Sequence, residues 1–213
     1  MPTIADARSW YPQNDHVHGF DHVLRVYQMA ERLSLAENAD TEIIQAAVLL
    51  HDAQGSETIG GDEGRLEHHH ASAEFARKIL TAEGWPEDRI QAVLHCIRAH
   101  RFRDSSEQPQ TIEAKVLFDA DKLDAIGAIG VARALSYSVE EGLPFYTEPS
   151  ERFLQTGKTE PDEPHTAYHE HLFKLSKIKA LLYTTTAQEI AEERHRLMDE
   201  FFMQLAAEFH AEK

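Results

Sequence analysis

Apolar residues in this chain return every three or four positions in nearly every segment, and that spacing commits it to helices. In "DHVLRVYQMAERLSLAE" the stripe is Val23, Val26, Tyr27, Ala30 and Leu33. "ADTEIIQAAVLLHD" opens on Asp40 or Thr41 as an N-cap. "HHHASAEFARKILTAEG" puts Phe75, Ile79 and Leu80 inward and closes on Gly84. "PEDRIQAVLHCIRAHRF" starts with Pro86 at a first-helical position. "TIEAKVLFDADKLDAIGAIGVARALSYSVEEG" is long, apolar and rich in alanine, and two further helical segments complete the chain. No segment shows strand alternation and none repeats. The expected fold is all-α, one compact irregular bundle of roughly seven or eight helices spanning residues 1–213. Residues 141–166 form the longest irregular stretch. They read as a lid or rim near an active site, or as a passive excursion. "AIGAIG" has the wrong spacing for a nucleotide loop and no strand before it, so its small residues are expected to let two helices approach closely.

Charge narrows the functional classes. The net charge of −16 repels nucleic-acid backbones and anionic membranes, so long nucleic acids and membranes are not expected partners. A small phosphorylated ligand requires a local concentration of cations. The single cysteine, Cys96, excludes an intrachain disulfide and a CxxC zinc site. "MPTIADARSW" lacks the pattern of a signal peptide, and no apolar run reaches bilayer length, so a cytoplasmic protein is expected. The sequence does not specify an oligomeric state.

Three apolar segments carry ionisable groups that burial alone would penalise. "AAVLLHDAQG" runs from aliphatic residues straight into His51 and Asp52. "DHVHGFDHVLRV" sets His18 and His22 one helical turn apart, with Asp21 between them. "KVLFDADKLDAIG" places Asp119, Asp121 and Asp124 among Val116, Leu117, Phe118, Leu123 and Ile126. An ionised carboxylate in such a setting costs several kcal/mol unless it is paired or bound to a cation. Asp121 and Asp124 have an ordinary alternative in backbone groups, Lys122 or solvent. One divalent ion held by His22, His51, Asp52 and Asp121 satisfies all three places. Neighbours on a helix diverge by about 100°, so His51 and Asp52 share an ion only if both bend towards the seam between them. The mixed N/O set suits Mn²⁺, Mg²⁺, Co²⁺, Ni²⁺ or Fe²⁺, and structural zinc less well.

The order His, adjacent His-Asp, distant Asp resembles the HD-domain metal-dependent phosphohydrolases. "HVLRV" resembles that family's first-histidine helix and "LLHDA" its His-Asp helix. "AKVLFDADKLDAIGAIGVAR" and "HLFKLSKIKALLYTTTAQEIAEERHRLMDEFF" are similar to segments of one bacterial subgroup, so the likeness covers nearly the whole chain. The resemblance implies that His22, His51, Asp52 and Asp121 are the metal ligands. It also implies hydrolysis of a phosphoester or phosphoanhydride bond, with a nucleotide as substrate and a nucleoside triphosphate cleaved to monophosphate and pyrophosphate as the favoured variant. Several HD enzymes carry a glutamate just after the dyad. Here Ala53, Gln54 and Gly55 stand there and Glu57 follows, which leaves the general base open, as it leaves the number of ions.

His68 and His100 match histidines that the subgroup carries, either at a second ion or facing phosphate. His68 is expected to point inward, with His69 and His70 on the surface. Asp52, His68, His100 and Lys122 are the expected catalytic groups, and His18, Arg101 and Lys122 the expected substrate contacts. Lys122 has pairing with Asp119 as its alternative. Arg25 is expected to be structural and His95 a core or boundary residue. His165, His169 and His171 read as variation at the rim of the site. The same resemblance leaves three other activities open: a phosphodiesterase of nucleotide second messengers, an HD-fold di-iron oxygenase, and a non-catalytic metal or nucleotide sensor.

Overall fold

The computed structural model describes residues 1–11, 19–54, 61–101 and 107–212, and for 61–68 the backbone alone. Among the described residues it contains ten α-helices, one 3-10 helix and no strand. They are α1 (Ile4–Arg8), α2 (Phe20–Glu37), α3 (Thr41–Leu50), α4 (Gly61–Ala82), α5 (Glu87–Ala99), α6 (Ile112–Asp124), α7 (Gly127–Glu140), α8 (Glu151–Thr156), α9 (Ala167–Phe173) and α10 (Thr185–Phe209), with the 3-10 helix at Leu175–Leu181. The all-α expectation holds. The count exceeds the expected seven or eight because α1, α8 and α9 are too short to show an amphipathic period. The described residues include no helix long and apolar enough to cross a membrane.

The chain forms two compact units: Met1–Asp121 with Leu182–Ala187, and Lys122–Leu181 with Gln188–Lys213. The first is organised around α3, which packs on α1, α2, α4 and α5. That central place explains its composition: Ile43, Ile44, Ala46, Ala47, Val48, Leu49 and Leu50 are all buried, the pattern of a helix covered on every side. Asp40 caps it, accepting hydrogen bonds from the Glu42 and Ile43 N–H groups. Val23, Val26, Ala30 and Leu33 of α2 supply the facing stripe, and Tyr27 is half-buried at its edge. Helix α4 ends as its sequence predicts. Gly84 takes a left-handed φ of 76°, its N–H donates to Thr81 O, and the Trp85 N–H donates to Leu80 O. Its inward face differs from the expectation. Ser72, Ala73, Ala76 and Leu80 are buried, while Phe75 and Ile79 are only half-buried. Pro86 is the N-cap of α5 rather than its first helical residue.

In the second unit, the long alanine-rich segment breaks at Ala125–Ile126, and Gly127 (φ 74°) restarts it as α7. A Cβ on Gly127 would lie 2.9 Å from Arg194 Cγ, and one on Gly130 would lie 2.8 Å from Met198 Cε. The small residues of "AIGAIG" therefore serve close packing, as expected. Residues 141–166 contain α8 and are tied internally by Glu163. Its carboxylate accepts from Ser150 N–H (2.7 Å), Ser150 Oγ–H (2.6 Å), Glu160 N–H (2.7 Å) and His169 Nε2–H (3.0 Å). Burial alone raises the Glu163 carboxyl, but these bonds together hold it at about 2.

Candidate metal centre

The end of α3 turns two consecutive side chains into one site. His51 is the C-cap of the helix and keeps helical dihedrals, and Asp52 follows it. His51 Nδ1 lies 2.7 Å from Val48 O. A carbonyl oxygen only accepts, so Nδ1 carries the proton and Nε2 keeps its lone pair. That Nε2 is buried and has no hydrogen-bond partner among the described residues. Leaving a buried acceptor unpaired costs about 1–3 kcal/mol. Burial pushes the imidazole down to about 4, the nearby His100 and His22 adding to the effect against the charge of Asp52, so the ring is a neutral donor at ordinary pH.

Three more helices bring groups to the same point. His22, in the first turn of α2, sets Nε2 3.4 Å from Asp121 Oδ1 on α6. His51 Nε2 lies 3.5 Å from Asp52 Oδ2. His100, the C-cap of α5, has Nδ1 2.5 Å from Ile97 O and turns Nε2 to within 3.4 Å of Asp52 Oδ1. The His22 and His51 rings are 5.6 Å apart and the His51 and His100 rings 5.1 Å apart. His22, His51, Asp52 and His100 are all less than one-tenth exposed.

Ligand atoms from His22, His51 and Asp52 all lie within 4.8 Å of one another. Donors about 2.1 Å from a common ion are separated by roughly 3 Å when adjacent and roughly 4.2 Å when opposite, so the three groups stand close to the spacing that one divalent cation requires. Among the described residues no other group of three His, Cys, Asp or Glu side chains converges in this way.

Helix α6 separates the roles of its three acids. Asp119 is fully buried and accepts from Tyr183 N–H, Thr184 N–H and the Thr184 hydroxyl at 2.9, 2.7 and 2.7 Å. Asp124 pairs with Arg133 Nη1 at 2.8 Å. The ordinary alternative to metal binding thus applies to Asp119 and Asp124, while Asp121 is the acid that approaches His22.

The other sequence candidates fall as follows. His18 and Glu57 lie outside the described residues, and so does the side chain of His68. Lys122 follows Asp121 on α6, and Arg101 follows His100; both are half-buried. His95 is the boundary residue expected: its ring bonds Glu107 Oε1 (2.6 Å) and accepts from Gln110 N–H (3.0 Å). His69 corrects the expectation, because it is buried while His70 is exposed. The placement of His165, His169 and His171 at a rim is also corrected for the last two. His169 is fully buried between Thr166 Oγ1 and Glu163. His171 is buried flat against Phe202, with ring centroids 4.5 Å apart, and its Nε2 lies 3.3 Å from Asp199. His165 pairs with Glu170 at 3.1 Å.

Sequence reasoning missed the groups that hold the dyad turn. The Tyr11 hydroxyl donates to Leu49 O, and Ser72 bonds the backbone of Gln54. Burial, and then the charge of Asp52, pushes the Tyr11 phenol well above its usual value. A polar residue on the apolar face of α4 was the available signal for Ser72.

Comparison with known proteins identifies the family. A family model described as HD domain matches residues 19–126. The protein YpgQ of Bacillus subtilis is 33% identical over 191 residues, which cover 88% of this chain and 82% of YpgQ. The crystal structure of B. subtilis YpgQ in complex with ADP superposes with a TM-score of 0.72 at 30% identity, over 97% of each chain. An HD-superfamily hydrolase from Bacillus thuringiensis gives a TM-score of 0.71 at 30% identity, over 98% of this chain and 95% of that one.

Proposed function

Since the chain belongs to the HD-domain family, we propose that it is a metal-dependent phosphohydrolase acting on a small phosphorylated substrate, a nucleotide. The coarser part of this reading, a metal-dependent hydrolase, is supported by the family match and by structural neighbours that are HD-superfamily hydrolases. The observation that carries it is the convergence of buried donors from His22, His51 and Asp52, with Asp121 beside His22. The nucleotide is supported by the relative whose structure contains ADP.

His22, His51, Asp52 and Asp121 would hold the ion, Mn²⁺, Mg²⁺, Co²⁺, Ni²⁺ or Fe²⁺ being compatible with these ligands. When bound, it supplies the charge that acidifies a water and polarises a phosphoryl oxygen. The chain's own groups do the rest. The Nδ1–H of His51 is fixed on Val48 O, so the ring presents Nε2 in one tautomer. Asp52 Oδ1 and His100 Nε2, 3.4 Å apart, form the pair proposed to accept the proton of the attacking water. The water oxygen bonds to the α-phosphorus, the α–β bridging P–O bond breaks, and its electron pair leaves on pyrophosphate. Lys122, His68, His18 and Arg101 are proposed to meet the phosphate oxygens. They would provide the local positive charge that a chain of net charge −16 needs in order to receive an anion.

The test is a screen of phosphate and pyrophosphate release over nucleoside mono-, di- and triphosphates and cyclic dinucleotides, with each metal added in turn. Triphosphate turnover that requires metal supports the reading. Turnover of cyclic dinucleotides alone, oxygen consumption with an iron signal, or binding with no turnover overturns it in favour of a phosphodiesterase, an oxygenase or a sensor.

A further inference from the structure

Two consecutive ligands ask more of the backbone than ligands one helical turn apart. Side chains at neighbouring positions diverge by about 100°, so a small rotation of the chain between His51 and Asp52 swings their donors away from each other. The residues that fix this backbone therefore bear on the site through its ligands.

The carbonyls at the end of a helix lack partners along its own ladder, and the last three of α3 find donors nearby. Val48 O accepts from His51 Nδ1–H at 2.7 Å, Leu49 O from the Tyr11 hydroxyl at 3.1 Å, and Leu50 O from the Ala53 N–H at 3.3 Å. Just past the dyad, one side chain engages both backbone groups of Gln54. Ser72 Oγ accepts the Gln54 N–H at 3.1 Å and donates to the Gln54 carbonyl at 3.1 Å. Ser72 is fully buried and Tyr11 nearly so. The first comes from α4 and the second from the segment after α1, so separate elements grip the turn on either side of His51 and Asp52.

We propose that Ser72 and Tyr11 are positioning residues of the metal centre: they clamp the Leu49–Gln54 turn so that His51 and Asp52 present their donors together before any ion arrives. The inference rests on the reading that this cluster binds a divalent cation. Neither residue needs to touch the ion or the substrate. Each acts through the backbone that carries the ligands, as outer partners of metal ligands commonly do.

The experiment titrates Mn²⁺ into the full chain and into S72A, Y11F and S34A, and records kcat and the melting temperature of each without metal. Ser34 is the control, because among the described residues its buried hydroxyl bonds Ala30 O of its own helix, at 2.6 Å, and not the dyad turn. Removing it matches the chemistry of S72A away from the turn. S72A and Y11F are expected to weaken Mn²⁺ binding by about tenfold and to lower kcat, while S34A changes only the melting temperature. If S72A does not fold, Y11F carries the test. Wild-type Mn²⁺ affinity in both S72A and Y11F, or the same loss in S34A, overturns the clamp. Absence of Mn²⁺ binding in the unaltered chain instead overturns the reading of the site itself.

Discussion

His51 in the first unit and His169 in the second are both fully buried imidazoles beside carboxylates. His169 has a partner on each nitrogen, Thr166 on one side and Glu163 on the other. His51 spends one nitrogen on Val48 O and leaves the other facing His22, Asp52 and His100. An orphaned nitrogen alone does not make the difference: His171 Nδ1 and His195 Nε2 of the second unit are also buried without hydrogen-bond partners. What sets His51 apart is convergence. Its free lone pair shares a small volume with donors from other helices, and those in the second unit do not. Burial of a histidine marks structure, and convergence of lone pairs marks a site.

The sharpest way to break this comparison is to remove one converging donor. Asp52→Ala or His51→Ala is expected to abolish bound metal and to lower pyrophosphate release by on the order of 10³-fold or more, with helical circular dichroism retained. Full activity in a metal-free Asp52→Ala protein would sink the mechanism. Added metal probes the same contrast through stability. Mn²⁺ at a hundredfold excess over its Kd is expected to stabilise the unaltered chain by about 2.7 kcal/mol and Asp52→Ala not at all. Equal stabilisation of both proteins would mean that the ion binds elsewhere.

The second unit should respond in the opposite sense. Glu163→Ala strips the partners from His169 and Ser150. It is expected to lower the melting temperature by several degrees while Mn²⁺ affinity stays at its original value, and a loss of affinity would contradict the assignment. The smallest expected effect is a pH dependence. Glu163 and Glu170 are each held at about 2, below the ordinary 4.5. For Glu170, burial pushes upward, and the hydrogen bond from His165 with the charge of Lys174 outweighs it. The unfolded chain therefore binds more protons than the folded one below about pH 4.5. The stability these groups contribute is complete above that value and is lost as pH falls towards 2. Denaturant melts across this window should show the loss in the unaltered chain and a shallower one in Glu163→Gln.

Much of this was legible in the sequence because it rests on period and on residue type. The stripe of α2, the apolar run of α3, the cap at Asp40 and the stop at Gly84 are all local properties. The cluster of His22, His51 and Asp52 was legible through its motif, and the structure adds the convergence. Contacts between distant positions were not legible. Asp119, Asp121 and Asp124 look alike in "DADKLD", and only Tyr183, Thr184 and Arg133 tell them apart. The inward face of α4 was read from its large residues, so buried Ser72 and His69 were missed although both lie on that helix. His169 and His171 were misplaced because a histidine in a polar segment gives no sign of whether other side chains will fold over it.

The first unit is completed by Leu182–Ala187, which follow the whole of residues 122–181, and the donors that satisfy Asp119 lie in that late segment. On a translating ribosome, at ~5–20 residues per second, this carboxylate waits several seconds for Tyr183 and Thr184 to be made. The helix that carries Asp121 thus acquires its anchor only once Tyr183 and Thr184 have been made, so a nascent chain arrested before that point would hold an unfinished candidate metal centre.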